Sequence, residues 1–355
     1  MTERVQVTQR TSTTRYCVGP DALTELRAWL EPLPLRVPVI ADPDVWRLYG
    51  DAVATVLHPC EPLVFHVAGE EQKEFGTVER LASELSANHV HRREKLILLG
   101  GGVVCDVGGL TASLYMRGLG YAIVATSLMA QIDAAIGGKV VTNFDHRKNL
   151  IGGFHHPELV LADPSFLRTL PPRHVRAALA EALKVGLILP ELQIESMLEG
   201  AVASDPAAMG PLVERCVDGK LSLLEPDPFE RDLDRVLNLG HAVAHALEKV
   251  EDCELIHGEA VAIGLAATAR YASAEGICTS AYAGRILDQL VRLGLPTTAD
   301  VPELELRARL GDIVDHRGGR IRLVVPTGDA GVTILEHADL DALAVCARRR
   351  ARVRT

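Results

Sequence analysis

Three histidines and two acid–lysine clusters are the groups in this 355-residue chain best placed to do chemistry. His241 and His245 lie in Asn238-Leu-Gly-His241-Ala-Val-Ala-His245-Ala-Leu-Glu248, and a spacing of four puts both on one face of a helix. Residue 242 is alanine, so the metalloprotease pattern HExxH, with its general base, is absent. Satisfied core histidines explain such a pair equally well. His257 opens the segment His-Gly-Glu-Ala, and Glu181 and Lys184 share a helix-like stretch. A carboxylate with two imidazoles and an open position is the donor set of a catalytic divalent cation, typically zinc. Such an ion polarises a hydroxyl or carbonyl oxygen.

A second constellation suits phosphates. Gly100, Gly101 and Gly102 follow the apolar run 96–99 and precede a helix-like segment. Glycines there let backbone N–H groups approach a pyrophosphate, and a helix N-terminus favours the anion. The triplet is not GxGxxG, and a structural turn would also use three glycines. Asp42 follows another apolar run, where an acid can bind a ribose hydroxyl. Glu70 and Lys73 follow a third, where a surface i,i+3 pair is the competing explanation.

The elements that must position these groups change character along the chain. Short apolar runs at 37–40, 63–67, 96–99 and 122–125 alternate with helical stretches such as 75–86, the rhythm of a Rossmann-like parallel sheet. From about residue 164, long Ala/Leu-rich segments at 173–189, 209–224, 233–250, 259–274 and 281–293 predict helices, with a strand at 321–325. Net charge is −10, which disfavours nucleic acid as a partner. Seven scattered cysteines without a CxxC argue against a disulfide framework or a cysteine-based zinc site. No apolar run is long enough for a membrane span, and the first residues lack an apolar signal stretch, so a cytoplasmic protein is expected. Lys plus Arg total 37, yet only seven are lysine, so a lysine here can mark a place that arginine does not suit.

Seven blocks then make a specific match. They are Gly100-Gly-Gly-Val-Val-Cys-Asp106-Val-Gly-Gly, Tyr115-Met-Arg117-Gly, Ile132-Asp133-Ala-Ala-Ile-Gly-Gly-Lys139, Lys148-Asn149-Leu-Ile-Gly-Gly-Phe, Ala180-Glu181-Ala-Leu-Lys184, Leu237-Asn238-Leu-Gly-His241 and His257-Gly-Glu-Ala-Val-Ala. Over residues 36–327 the chain resembles the dehydroquinate synthase superfamily, the sugar phosphate cyclases. The resemblance implies an α/β fold with an N-terminal Rossmann-like NAD-binding domain, residues 1–163, and a C-terminal, mainly α-helical metal-binding domain, residues 164–355. It implies a homodimer acting on a small sugar phosphate. NAD contacts would come from Asp42, Glu70, Lys73, Gly101, Gly102, Asp106, Thr126 and Ser127. Zinc or cobalt would be held by Glu181, His241 and His257. Asp133, Lys139, Lys184 and His245 would be catalytic, with Lys148, Asn149 and Asn238 on the substrate. Arg117 would reach the phosphate from the neighbouring subunit. The implied chemistry is transient oxidation by NAD, phosphate elimination, re-reduction and intramolecular aldol closure.

Departures from the family pattern bear on the substrate. Dehydroquinate synthases grip a substrate carboxylate with a lysine and an arginine fourteen residues later. Here the lysine matches Lys220, but the arginine position is Asp234. An acid facing a carboxylate is repulsive in a closed pocket. The family's late Asp-Lys-Lys appears as Asp315-His316-Arg317, similar to sedoheptulose 7-phosphate cyclases, as is Asp232-Leu-Asp-Arg235. Gly137-Gly138-Lys139, Lys220 and Asn238 are instead dehydroquinate-synthase-like. The favoured expectation is a sedoheptulose 7-phosphate cyclase of the 2-epi-valiolone type, with Lys220, Asp234 and His316 on the substrate. Dehydroquinate or aminodehydroquinate synthase is the first alternative. A 2-deoxy-scyllo-inosose synthase or a metal-dependent alcohol dehydrogenase follows.

Overall fold

The computed structural model describes residues 12–145, 147–201, 205–232, 235–250, 253–316, 322–328 and 331–348. The chain forms two compact units. The first is built from the described residues up to Cys17 with Asp21–Ala125 and Gly138–Ala162. The second comprises Val18–Pro20, Thr126–Gly137 and the described residues from Asp163 onward. A single division after residue 163 is thus replaced by an interleaved one, because Thr126–Gly137 packs with the helical unit.

The first unit carries strands β1 (Arg15–Val18), β2 (Arg36–Ala41), β3 (Glu61–His66), β4 (Leu96–Gly100) and β5 (Tyr121–Ala125). An antiparallel hairpin, β6 (Lys139–Phe144) and β7 (Arg147–Phe154), precedes β8 (Leu159–Ala162). Its helices are α1 (Glu25–Trp29), α2 (Pro43–Leu57), α3 (Phe75–Ala87) and α4 (Gly102–Leu114). The main sheet runs β1-β8-β5-β4-β2-β3, with parallel pairing from β8 through to β3. Strands β4, β5 and β8 are buried throughout, and β4 and β5 read as unbroken apolar runs for that reason. The chain leaves β2 toward β3 on one side and returns to β4 on the other, so the carboxyl ends of β2 and β4 form a topological switch point. Asp42 and the glycine triplet stand at those two ends, and the Asp42 N–H donates to Leu99 O at 3.1 Å.

The second unit contains α5 (Pro172–Ile188), α6 (Ile194–Ala201), α7 (Gly210–Leu224), α8 (His241–Leu247), α9 (His257–Ala274), α10 (Ser280–Arg292), α11 (Glu303–His316) and α12 (Leu340–Ala347). Strands β9 (Leu323–Pro326) and β10 (Val332–Leu335) pair antiparallel. Helix α9 is the centre, packed by α5, α8, α10 and α12, and its alanines leave almost no side-chain bulk between axes. The helix expected at 233–250 is instead a 3-10 turn, Val236–Asn238, then α8. Gly240 separates them at φ +77, a left-handed conformation that ends any continuous helix.

Two glycines let the metal-candidate helices close on one another. A Cβ on Gly264 would sit 2.0 Å from Gly240 O, and one on Gly258 would sit 2.0 Å from Ala177 O. Both clashes are with backbone, so no rotamer change relieves them. Gly264→Ala should destabilise the fold by about 1–3 kcal/mol and push α8 away from α9. A lower melting temperature, together with weaker metal retention, is the expected outcome; an unchanged melting temperature would contradict this packing.

Candidate metal centre and cofactor site

Glu181, His241 and His257 come together in the helical unit with one ligand atom of each within 4.8 Å of the others. Glu181 lies in mid-α5, and the two histidines open α8 and α9. Each imidazole Nε2 stands 3.5 Å from Glu181 Oε1. The Glu181 side chain is 2% exposed, yet its Oε1 accepts no hydrogen bond. A buried carboxylate oxygen without a hydrogen-bond partner is unusual and costly. Two nitrogens facing one such oxygen, with an exposed edge on His257, match the donor set of an open divalent-cation site.

The remaining ring nitrogens fix this orientation. His257 Nδ1 lies 3.1 Å from Glu248 Oε1, and His241 Nδ1 lies 3.2 Å from Leu239 O. Donation of Nδ1–H to these oxygens would leave both Nε2 lone pairs available to a bound cation. Burial and the neighbouring Lys184 push His241 down to about 3, outweighing Glu181. Burial also works against a charge on His257, but the facing carboxylates of Glu181 and Glu248 hold it up at about 10. Glu181 itself is kept ionised against burial by Lys184 and the two histidines. His245 does not join the triad; its ring meets His241 edge-on, with centroids 5.3 Å apart.

Around this centre the unit gathers charge. Lys184, one turn along α5, pairs with Glu181 Oε2 and is 3% exposed. Burial lowers its basicity, but Glu181 and then Asp133 more than restore it. Asp133 lies in a π-helical turn, Ala130–Ala134, whose start is held by the Ala130 N–H on Ser127 Oγ at 3.2 Å. Lys220 reaches across from α7 and donates to Asp133 Oδ1 at 2.6 Å and to its carbonyl at 2.7 Å. Burial favours protonated Asp133, yet Lys220 holds it down at about 2. Lys220 was expected to grip substrate; here its ammonium is taken by the protein's own acid. Arg235 behaves similarly, since its Nη1 lies 3.0 Å from Glu230 Oε2. Asn238 ends the 3-10 turn ahead of His241, half-buried. Asp234 lies outside the described residues, and so does the side chain of His316, which closes α11.

The sheet unit holds the other half of the expected residues. Gly101 precedes α4 with no side-chain cap, leaving the first-turn N–H groups to an anion. A Cβ on Gly100, Gly108 or Gly109 would strike Val104, Leu98 or Val140 within 2.6 Å, so these glycines seat α4 on the sheet and hairpin. Asp42 Oδ1 caps α2 by accepting from Asp44 N at 2.9 Å and Val45 N at 3.2 Å. It is therefore a helix cap as well as a ribose candidate. The surface pair Glu70–Lys73 does not form. Lys73 is buried on Asp106 at 2.7 Å, and Glu70 faces Lys148 at 3.9 Å. Asn143 Nδ2 approaches Glu70 at 3.5 Å, while its Oδ1 accepts from the Asn149 N–H at 3.0 Å. The β6–β7 hairpin is thereby tied to the loop after β3. Lys139 and Arg117 are exposed, and Met116 and Arg117 are both left-handed at φ +50 and +66, a strained presentation of the arginine. Thr126, buried, and Ser127, partly so, follow β5 but belong to the helical unit.

Glu248, Asn143 and the Glu230–Arg235 pair were not expected. Glu248 stands in the same segment as His241 and His245, and its place at the end of that helix was the available signal.

Comparison with known proteins identifies the family. Family models match at residues 64–177, described as 3-dehydroquinate synthase N-terminal, and 178–312, described as 3-dehydroquinate synthase C-terminal. The chain is 43% identical to a 2-epi-valiolone synthase of Stigmatella aurantiaca over 309 residues, 81% of this chain and 75% of that one. It is 32% identical to a 3-dehydroquinate synthase of Picosynechococcus over 92% of this chain and 93% of that one. The solved 2-epi-5-epi-valiolone synthase of Streptomyces hygroscopicus, with NAD+ and Zn2+ bound, superposes with a TM-score of 0.88 at 32% identity, covering 97% of this chain and 98% of that one.

Two outcomes follow from the triad and its neighbours. Glu248→Gln should weaken zinc retention roughly 10–100-fold, read by competition with a chromophoric chelator, and His257→Ala should abolish it. Unchanged affinity in both would contradict the ligand set. For Lys220 the sign follows from Asp133, whose depressed value gives stability above about pH 4 that is lost as pH falls toward about 2. Lys220→Met should therefore cost on the order of 2 kcal/mol at pH 7, with the gap to wild type narrowing below pH 4 in thermal melts. A gap that does not depend on pH would remove this pair as its cause.

Proposed function

The chain belongs to the 3-dehydroquinate synthase family, and on that premise we propose that it is a sugar phosphate cyclase that converts sedoheptulose 7-phosphate to a C7-cyclitol of the 2-epi-valiolone type. One observation carries the choice of substrate. Lys220, the cation at the family's carboxylate position, and Arg235, next to the position of the family's arginine, are both paired with the protein's own acids. Asp234, in place of the family's arginine, adds a negative charge that suits a hydroxylated sugar end. The 43% identity to a 2-epi-valiolone synthase supports the same substrate class.

Bound NAD would accept and return one hydride, and a zinc or cobalt ion on Glu181, His241 and His257 would act as a Lewis acid toward the reacting oxygen. The other roles fall to side chains. Lys184 is a fixed ammonium beside Glu181, suited to stabilise negative charge that develops on a substrate oxygen. His245 serves as the nearby proton carrier, and Asp133, ionised by Lys220, accepts from substrate hydroxyls. Lys139, Lys148 and Asn149 hold the phosphate dianion through charge-assisted hydrogen bonds. Arg117, presented on its strained exposed turn, serves the phosphate of a partner subunit in a homodimer. The departing phosphate is itself the base for the elimination, so no further carboxylate is needed there.

A dehydroquinate or aminodehydroquinate synthase is the second reading, favoured by retention of Lys220 and Asn238 and by 32% identity to a 3-dehydroquinate synthase over 92% of this chain. Phosphate release separates the two. With NAD and zinc or cobalt, sedoheptulose 7-phosphate should yield inorganic phosphate and a cyclitol without net NADH. Turnover of 3-deoxy-arabino-heptulosonate 7-phosphate alone would overturn the proposal. Asp234→Arg should shift preference toward the carboxylated substrate at least tenfold; an unchanged ratio would remove Asp234 from the account.

A further inference from the structure

Between α7 and the 3-10 turn ahead of His241, the described residues Glu230 and Asp232 gather around the guanidinium of Arg235. Arg235 Nη1 lies 3.0 Å from Glu230 Oε2, its Nη2 donates to the Glu230 carbonyl, and its Nε donates to Asp232 O at 3.0 Å. Each of its three nitrogens therefore has a partner on Glu230 or Asp232, which engages three of its five N–H donors and fixes the plane of the group. The Glu230 side chain is 7% exposed and its backbone is left-handed at φ +46, a conformation uncommon outside glycine. The turn is braced beneath by Glu230 N on Asp227 O at 2.9 Å and Asp232 N on Asp227 Oδ2 at 2.7 Å. Glu230 lies within electrostatic reach of Lys184, so this loop belongs to the charge cluster around Glu181. A planar guanidinium with a bidentate fork is the natural receptor for a carboxylate. Arg235 stands three residues before Asn238 and six before His241, and it has been taken out of that role.

We propose that Glu230 is a specificity-determining residue that withholds Arg235 from the substrate, so that the pocket refuses a carboxylated heptulose phosphate and accepts one with a neutral end. The inference deepens the substrate assignment above and rests on it. Rejection is achieved by occupying a receptor inside the protein, with no steric block required. Lys220 on Asp133 does the same to the second available cation.

The experiment compares the holoenzyme with Glu230→Gln and with the double variant Glu230→Gln/Arg235→Met, on sedoheptulose 7-phosphate and 3-deoxy-arabino-heptulosonate 7-phosphate. Glu230→Gln should raise the relative kcat/KM for the carboxylated substrate at least tenfold, chiefly through a lower KM. The double variant should return the ratio to the wild-type value, because the gain depends on the released arginine. A general loosening of the loop would lower kcat on both substrates and would not be reversed by removing Arg235. If Glu230→Gln is poorly folded, Arg235→Lys serves in its place: a lysine satisfies fewer of these contacts, and the ratio should again rise. An unchanged ratio in both single variants overturns the clamp while leaving the substrate assignment intact. Wild-type preference for the carboxylated sugar overturns the assignment, whatever the variants do.

Discussion

A fully buried carboxylate whose Oε1 accepts no hydrogen bond is the constraint around which the helical unit is built. Glu181 sits in the middle of a 17-residue helix, surrounded by alanine and leucine, where an isolated charge would cost several kcal/mol. It stays ionised because Lys184 and two imidazoles face it. Those imidazoles are aimed from behind, one by Glu248 and one by a backbone carbonyl. The three side chains bring one donor atom each to within 4.8 Å of the others, as a divalent cation would require, and the charge pairs around Glu181 extend outward through Asp133, Lys220, Glu230 and Arg235.

Bringing three ligands from three helices to one point demands short interhelical distances. Gly258 and Gly264 provide them, since each places bare backbone against the carbonyl of a neighbouring segment, beside His257 in one case and ahead of His241 in the other. The sheet unit uses the same device for a different end. Glycines in and ahead of α4 let it lie against β4 and the hairpin, leaving an uncapped helix start at the switch point of a parallel sheet. In both units glycine marks where backbone must approach closely, and the chemistry is found beside it.

Much of this was legible in the sequence because the informative residues are chemically unambiguous. Four strands of the parallel sheet announced themselves as apolar runs, β2, β4 and β5 because nearly all their residues are buried and the edge strand β3 although it is only half-buried. Strands β6 and β7 did not, because they are largely exposed and carry lysines, asparagines and glycines in place of an alternating pattern. β1 and β8, at four residues each, are too short to stand out. The helix expected at 233–250 failed at Gly240, whose left-handed conformation no hydrophobic period reveals. The candidate triad followed from the family resemblance, and the structure adds what sequence spacing cannot: convergence of the three side chains and an oxygen without a hydrogen-bond partner. Pairing was the least legible feature. Lys73 chose Asp106 over the nearer Glu70, and Lys220 chose Asp133, because tertiary packing and not sequence distance decides which charges are buried together.

The central claim, that Glu181, His241 and His257 hold one divalent cation, is tested most directly by X-ray absorption at the zinc edge of the zinc-loaded enzyme. The account predicts a shell of nitrogen and oxygen at about 2.0–2.2 Å with outer-shell scattering from two imidazoles and none from sulfur, and loss of one imidazole in His257→Ala. A first shell containing sulfur, or one without imidazole scattering, would contradict it.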